Sequence, residues 1–166
     1  TVGGRRLPLR SLAFSGGAAA HLLAGILIEP ARAPAAETEH CAWPALAAWI
    51  EANHPAPPGG VLFTYLFTGS EMVWRTRWNV VGAPYANARS LADTAAFFGA
   101  RDDSAAEAVA ERRGARLVAL CPSSFEARDY GPGTLHRRLT EEPLPAWLNR
   151  IDLPRDLGRD FLLFAR

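Results

Sequence analysis

The stretch Val61–Phe67, V-L-F-T-Y-L-F, decides the fold class of this chain. Its β-branched and aromatic residues follow one another almost without interruption, a pattern typical of a strand buried on both faces of a sheet. A P-A-P-P-G-G turn cluster precedes it, and Cys41–Pro55 before that turn predicts a helix. The apolar residues at helical spacing there are Trp43, Leu46, Trp49 and Ile50. We therefore expect a helix packed on a sheet whose first strand is Val61–Phe67.

The next segments continue this alternation of strands and helices. Thr68–Trp74 predicts a short helical turn and Asn79–Ala83 a short strand. Ser90–Phe98 predicts a helix that buries Leu91, Ala95 and Phe98 on one stripe.

A further helix is indicated by start and stop signals rather than by apolar spacing. Ser104–Glu107, S-A-A-E, has the pattern of a capping box, and Gly114 is a matching stop after two arginines. Asp102 and Asp103 stand just before that start, where negative charge favours a helix N-terminus. We interpret both carboxylates as capping groups rather than metal ligands.

The C-terminal third completes an α/β fold. Arg116–Pro122 predicts a third buried strand, Thr134–Leu148 a broken helix, and Ile151–Leu153 with Asp160–Ala165 a closing antiparallel pair. Strands that alternate with helices predict a Rossmann-like layered α/β sandwich, and the closing pair makes the sheet mixed.

The first forty residues differ from the rest. Ser11–Ile28 contains eighteen residues without a formal charge, which is at the short end for a membrane-crossing helix. A signal peptide and a buried soluble helix are alternatives, but the chain opens with Thr1 rather than Met, so we expect a terminal membrane helix. The predicted organisation is a flank and apolar helix over residues 1–30, a linker over 31–40 and an α/β domain over 41–166.

Composition and motifs exclude several function classes. The net charge of +1 gives no basis for a nucleic-acid partner. Neither G-x-G-x-x-G nor G-x-x-x-x-G-K-[ST] occurs, so no cofactor is predicted. His40, Cys41 and Cys121 lack metal-site spacing, and Ser123 and Ser124 lack a nucleophile elbow. The sequence therefore predicts no catalytic residue and no metal ligand.

The two cysteines, Cys41 and Cys121, have two interpretations. Outside the cytoplasm they would form a disulfide that closes a loop of about 80 residues. In the cytosol the same residues would be ordinary buried thiols, and sequence spacing does not decide between the two.

The stretch Ser70–Asp93 is rich in arginine and aromatic residues, and it also has two interpretations. In the first, a loop at a strand end presents polar and aromatic groups to a sugar or a lipid phosphate. The candidate binding residues are Tyr85, Asn87 and Arg89, with Arg75 and Arg77 nearby. In the second, Trp74 and Trp78 fill the core and the arginines are solvated or pair with Glu71 and Asp93.

The order of motifs in this part of the chain resembles a known family. T-x-x-x-V-V-G-x-P-Y over Thr76–Tyr85, the later Asp93, and L-C-P at Leu120–Pro122 resemble the C-terminal region of bacterial polytopic membrane proteins. These are similar to the lipid-linked-sugar glycosyltransferases that include oligosaccharyltransferase and protein-mannosyltransferase relatives. That family commonly has His-Arg-Asn after Pro-Tyr, whereas this chain has Ala86–Arg89, which removes the imidazole.

The resemblance implies a non-catalytic accessory domain that caps a membrane core and helps form an acceptor or lipid-linked donor site. Its implied partners are the membrane portion of the same protein and a lipid-linked sugar or its acceptor. Arg5, Arg6 and Arg10 precede the apolar helix, so the positive-inside rule predicts a periplasmic domain on a bacterial inner membrane. The alternatives are a membrane-anchored interaction module unrelated to glycosyl transfer, and a small soluble enzyme.

Overall fold

A computed structural model describes residues 41–141 and 143–166 of the chain. The predicted apolar helix Ser11–Ile28 and the linker over 31–40 lie outside the described residues. Within the part of the chain that is described, no helix has both the length and the apolar character needed to cross a bilayer.

The described residues form five α-helices, one 3₁₀ helix and five strands. The helices are α1 (Trp43–Asn53), α2 (Leu66–Arg75), α3 (Ala88–Gly99), α4 (Asp103–Arg113), the 3₁₀ helix (Phe125–Asp129) and α5 (Leu135–Thr140). The strands are β1 (Val61–Phe63), β2 (Asn79–Val80), β3 (Ala115–Leu120), β4 (Asn149–Ile151) and β5 (Leu162–Ala165).

The five strands form one mixed sheet in the order β2-β1-β3-β5-β4. β1 is parallel to both β2 and β3, whereas β5 is antiparallel to β3 and to β4. The predicted mixed sheet and its antiparallel closing pair are therefore confirmed. The connection from β1 to β2 and the connection from β2 to β3 run in opposite directions across the sheet. Because such connections between parallel strands are right-handed, α2 lies on one face of the sheet and the α3–α4 pair on the other.

The stretch Val61–Phe67 forms a much shorter strand than its composition predicts. β1 ends at Phe63, and α2 begins at Leu66 without a side-chain cap from its own N-terminal residue. The prediction of a strand through Phe67 is wrong because Glu126, far along the chain, supplies the missing cap. Its Oε1 accepts a hydrogen bond from the Phe67 N–H at 2.9 Å.

The start of α4 lies before the predicted capping box. Asp102 is the capping residue, and its carboxylate accepts the backbone N–H of Ser104 at 3.1 Å. The capping role predicted for the two aspartates is thus confirmed for Asp102, whereas Ser104 is inside the helix. Gly114 ends α4 with φ of 65°, the left-handed conformation that glycine adopts without steric cost.

The buried face of α3 is rotated from the predicted stripe. Phe97 and Phe98 are fully buried, but Ala95 is exposed and Leu91 only half-buried. Phe97 stacks on Phe63 of β1 with ring centroids 4.0 Å apart. These rings form the centre of the core on this face of the sheet.

A pair of glycines allows the helices to approach the end of β2 closely. A Cβ atom on Gly69 of α2 would overlap the carbonyl oxygen of Gly82, and one on Gly82 would lie 2.5 Å from the Thr94 hydroxyl in α3. The segment that follows β2 is therefore held between α2 and α3. This packing gives a structural role to the V-V-G part of the motif.

Candidate functional site

The carboxyl ends of β1 and β3 are the expected place for a site in this topology. Strand β2, which follows β1 in the chain, lies on one side of β1 in the sheet, and β3 lies on the other side. The direction in which the chain crosses the sheet therefore changes between β1 and β3. Ligands of open α/β sheets bind in the crevice at such a reversal. We call the region formed by the residues that follow these two strands the carboxyl edge of the sheet.

A buried polar pair occupies this reversal point. The Tyr65 hydroxyl lies 2.7 Å from His136 Nε2 and donates to the Cys121 carbonyl oxygen at 3.1 Å. This arrangement is satisfied when Nε2–H of a neutral imidazole donates to the Tyr65 oxygen. His136 is only 1% exposed, so the pair links α5 to the strand ends from inside the core.

The surroundings keep His136 uncharged. Burial, with a smaller effect of the Arg137 charge, lowers the pKa of His136 to about 4. The Tyr130 ring stacks on the imidazole with centroids 5.0 Å apart. Burial first, and then the charges of Glu126 and Asp129, raise the pKa of Tyr130 to about 12. Both groups thus stay neutral at physiological pH.

Glu126 is a buried carboxylate at the same edge. Besides capping α2 through the Phe67 N–H, it accepts the Thr68 hydroxyl through Oε2 at 3.3 Å. Burial raises the pKa of Glu126, and these hydrogen bonds oppose that rise. No local sequence pattern predicts this contact, because 58 positions separate Glu126 from Thr68.

Exposed aromatic rings lie beside Glu126. Phe67 and Phe125 are 54% and 51% exposed, and their ring centroids are 5.6 Å apart. Together with Trp43 they line a groove of about 270 Å³ that also contains Cys41. Aromatic rings left in solvent at a strand-end groove are a feature of binding surfaces.

Cys41 and Cys121 form a disulfide at the carboxyl edge. Their Cα atoms are 6.1 Å apart, within the range of disulfide-bonded pairs. The bond ties Cys41, two residues before α1, to the residue just after β3. The first described residue of the chain is thereby fixed next to the groove.

The structure separates the predicted binding residues into two groups. Tyr85, Asn87 and Arg89 follow β2, and both Tyr85 and Arg89 are exposed. Asn87 is the N-terminal cap of α3, because its side chain accepts the Ser90 N–H at 3.0 Å. Asn87 therefore already has a structural partner.

Arg75 and Arg77 stand before β2 and have partners of their own. Arg75 pairs with Glu71 on α2, as the structural interpretation of the stretch predicts. Arg77 pairs with Glu51 of α1 at 3.7 Å. Among the described residues, no hydrogen bond or ion pair joins either arginine to the loop after β2.

The two tryptophans of the stretch have different environments. Trp78 is buried, and its indole N–H donates to the His54 carbonyl oxygen at 2.9 Å. Trp74 is 83% exposed, so the prediction that it fills the core is wrong. It lies two turns after Phe67 on the outer face of α2, whose inner face carries Thr68, Gly69 and Met72.

Asp93 pairs with arginines outside the stretch. Its carboxylate accepts hydrogen bonds from Arg112 at 2.7 Å and from Arg113 at 2.6 Å. These bonds, the one from Arg112 first, lower the pKa of Asp93 despite its burial. The predicted pairing of Asp93 with arginines of the Ser70–Asp93 stretch is therefore wrong, and Asp93 instead fastens α3 to α4.

Across the part of the chain that the structure describes, no three His, Cys, Asp or Glu side chains are grouped to hold a metal ion. At the carboxyl edge the buried Tyr65, His136 and Glu126 side chains hydrogen-bond within the protein, and the Phe67 and Phe125 rings near Glu126 are exposed. The described residues thus form an α/β domain with a mixed five-stranded sheet, at whose carboxyl edge buried polar groups lie beside exposed aromatic rings.

Comparison with solved structures finds domains of similar fold. The chain is similar to the C-terminal globular domain of oligosaccharyltransferase from Archaeoglobus fulgidus, with a TM-score of 0.60 and 17% sequence identity. The match covers 74% of this chain and 95% of that domain. No protein-family model matches the chain, and no curated protein matches its sequence. At this identity the likeness establishes a shared fold.

Proposed function

We propose that the chain is a non-catalytic accessory domain of a glycosyltransferase-like integral membrane protein. The observation that carries the proposal is the fold shared with the C-terminal globular domain of an oligosaccharyltransferase over 95% of that domain. The motif order from Thr76 to Pro122 is a separate line of support, because it is a feature of the sequence and does not depend on the fold comparison. In this role the domain caps the membrane core and helps form an acceptor or lipid-linked donor site.

In this proposal, exposed side chains near the end of β2 contact the ligand. Tyr85 on the loop after β2 and Arg89 in the first turn of α3 supply a ring for a sugar face and a guanidinium for a phosphate. The membrane portion of the same protein is the proposed partner of the domain as a whole. In this proposal the periplasmic side of a bacterial inner membrane is its location, and a reporter active only outside the cytoplasm, fused after Arg166, tests that location.

The test of the function is glycosyl transfer from a lipid-linked sugar by the membrane protein that contains this domain. Tyr85→Ala combined with Arg89→Ala should reduce the rate without lowering the melting temperature, because both side chains are exposed. Arg101→Ala, which removes an exposed arginine from the turn between α3 and α4, is the matched control. A rate unchanged in the double variant would remove the loop from the proposal.

A further inference from the structure

A cleft of about 480 Å³ lies in the connection between β4 and β5. The charged residues that line it are three arginines, Arg150, Arg155 and Arg159, and one aspartate, Asp152. Ile151 and Phe161 contribute apolar surface. Volumes of this size hold a small ligand rather than a single ion.

The balance of charge in the cleft is positive. Three guanidinium groups face one carboxylate, so the lining side chains carry a formal charge of +2 (three minus one). A guanidinium stays charged at all physiological pH values and offers several N–H donors in one plane. The chemistry of these walls therefore suits an anion with several acceptor oxygens.

Several other arginines in the described part of the chain differ from these three in having carboxylate partners. Arg75, Arg112, Arg113, Arg138 and Arg166 each pair with a carboxylate at hydrogen-bond distance. Among the described residues, no ion pair involves Arg150, Arg155 or Arg159. Their donors are thus available to a ligand without the loss of an existing pair.

The cleft also lies at the carboxyl edge of the sheet. Leu162 at the start of β5 is paired with Leu120 at the end of β3, so the connection before Leu162 extends beyond that end. Phe161 packs on Trp43 at the start of α1, with ring centroids 4.8 Å apart. The back of the cleft is therefore anchored in the core, while its arginines remain exposed.

We propose that this cleft binds the phosphate or diphosphate group of a phosphorylated ligand. Arg155 and Arg159 supply hydrogen bonds to the phosphate oxygens, and Arg150 adds positive charge. Asp152 repels the same anion and limits affinity. The inference does not depend on the proposed function, because it uses only the residues of the cleft.

The test is a calorimetric titration of the full chain with inorganic pyrophosphate. Arg155→Ala combined with Arg159→Ala should weaken binding by about tenfold or more, since each removes charge-assisted hydrogen bonds. Asp152→Asn should strengthen binding, a gain that misfolding cannot imitate, and Arg101→Ala should leave it unchanged. Absence of binding to the wild type, or equal losses in the double variant and Arg101→Ala, would overturn the site.

A second arm separates a soluble ligand from a lipid headgroup. Vesicles of phosphatidylglycerol and of phosphatidylcholine are compared for binding of the wild type and of the double arginine variant. A deficit of the variant with pyrophosphate alone assigns the site to a soluble phosphorylated ligand. A deficit that extends to phosphatidylglycerol assigns it to a headgroup, and no deficit in either arm contradicts the proposal.

Discussion

At the scale of single residues, the large aromatic side chains of the described residues range from fully buried to largely exposed. Phe98 is fully buried between Phe63, Tyr65 and Tyr130, whereas Trp74 is 83% exposed on α2. Phe98→Ala should lower the free energy of unfolding by about 3 to 5 kcal/mol, and Trp74→Ala should change it by less than about 0.5 kcal/mol. Urea unfolding of the two variants checks this, and a similar loss in both would contradict the burial described for Trp74.

His136 should make the stability of the domain depend on pH. Its pKa in the folded protein is about 4, below its ordinary value, so the unfolded chain binds a proton more readily between those two values. The histidine's contribution to stability is complete above its ordinary pKa of about 6.5 and falls as the pH drops towards 4.

The measurement for His136 compares the wild type with His136→Gln. The free energy of unfolding of the wild type minus that of the variant should shrink as the pH falls from about 7 to about 5. Urea unfolding at several pH values in that interval measures the difference. A constant difference would mean that the imidazole is not held neutral by burial.

Residue types predicted some of these environments and missed others. The burial of Trp43 and Ile50 follows from helical spacing within one segment. The Tyr65–His136 hydrogen bond joins residues 71 positions apart, so no local pattern contains it. The exposure of Trp74 was missed because hydrophobicity alone suggests a core residue, although the Thr68–Met72 spacing on α2 points that position outward.

At the scale of elements, the contact between α2 and the end of β2 depends on glycine. Gly69→Ala should destabilise the domain by about 1 to 3 kcal/mol, because the new methyl group overlaps the backbone of Gly82. Gly99→Ala at the end of α3 is the control, since a Cβ there meets nothing within 4 Å. That substitution should be neutral or stabilising by up to about 1 kcal/mol.

Thermal unfolding of the two glycine variants decides the point. A lower melting temperature only for Gly69→Ala supports the close approach of α2 to the segment after β2. Equal melting temperatures would show that this segment moves away freely and that the glycine of the V-V-G-x-P-Y motif has no packing role.

The existence of most elements could be predicted, while several of their limits could not. Helix α4 was recognisable from its acidic start and Gly114 stop, which are local signals. The end of β1 depends on Glu126, which caps α2 from the 3₁₀ helix after β3. That cap is a tertiary contact, which the composition of Val61–Phe67 does not contain. The strand predicted from this composition is therefore longer than the observed one.

At the scale of the whole molecule, the Cys41–Cys121 disulfide spans 80 positions and closes a loop that contains the first three strands and four helices. Replacing both cysteines by serine should lower the free energy of unfolding by about 4 kcal/mol on the chain-entropy model. Reduction of the disulfide in the wild type should likewise destabilise the domain and lower its melting temperature. Two freely titrating thiols in the folded, unreduced protein would contradict the bond.

The mixed α/β architecture was predictable because it rests on the alternation of strands and helices along the chain. The carboxyl edge was not predictable in the same way, because its parts come from segments that are distant in the chain. These segments are the ends of β1 and β3, the 3₁₀ helix and the connection before β5. Arg155 and Arg159 of the cleft lie between the two strands of the predicted closing pair, where the sequence indicates neither a helix nor a strand. Their convergence depends on the register of β5 against β3.

The central claim is that the domain contributes contacts, not chemistry, to glycosyl transfer by a membrane protein. The most direct measurement is transfer from a lipid-linked sugar, assayed with residues 41–166 alone, with the membrane protein that contains them, and with that protein lacking them. We expect no turnover by residues 41–166, full turnover by the intact protein and a strongly reduced rate after removal of the domain. Turnover by residues 41–166 alone, or an unchanged rate without them, would contradict the claim.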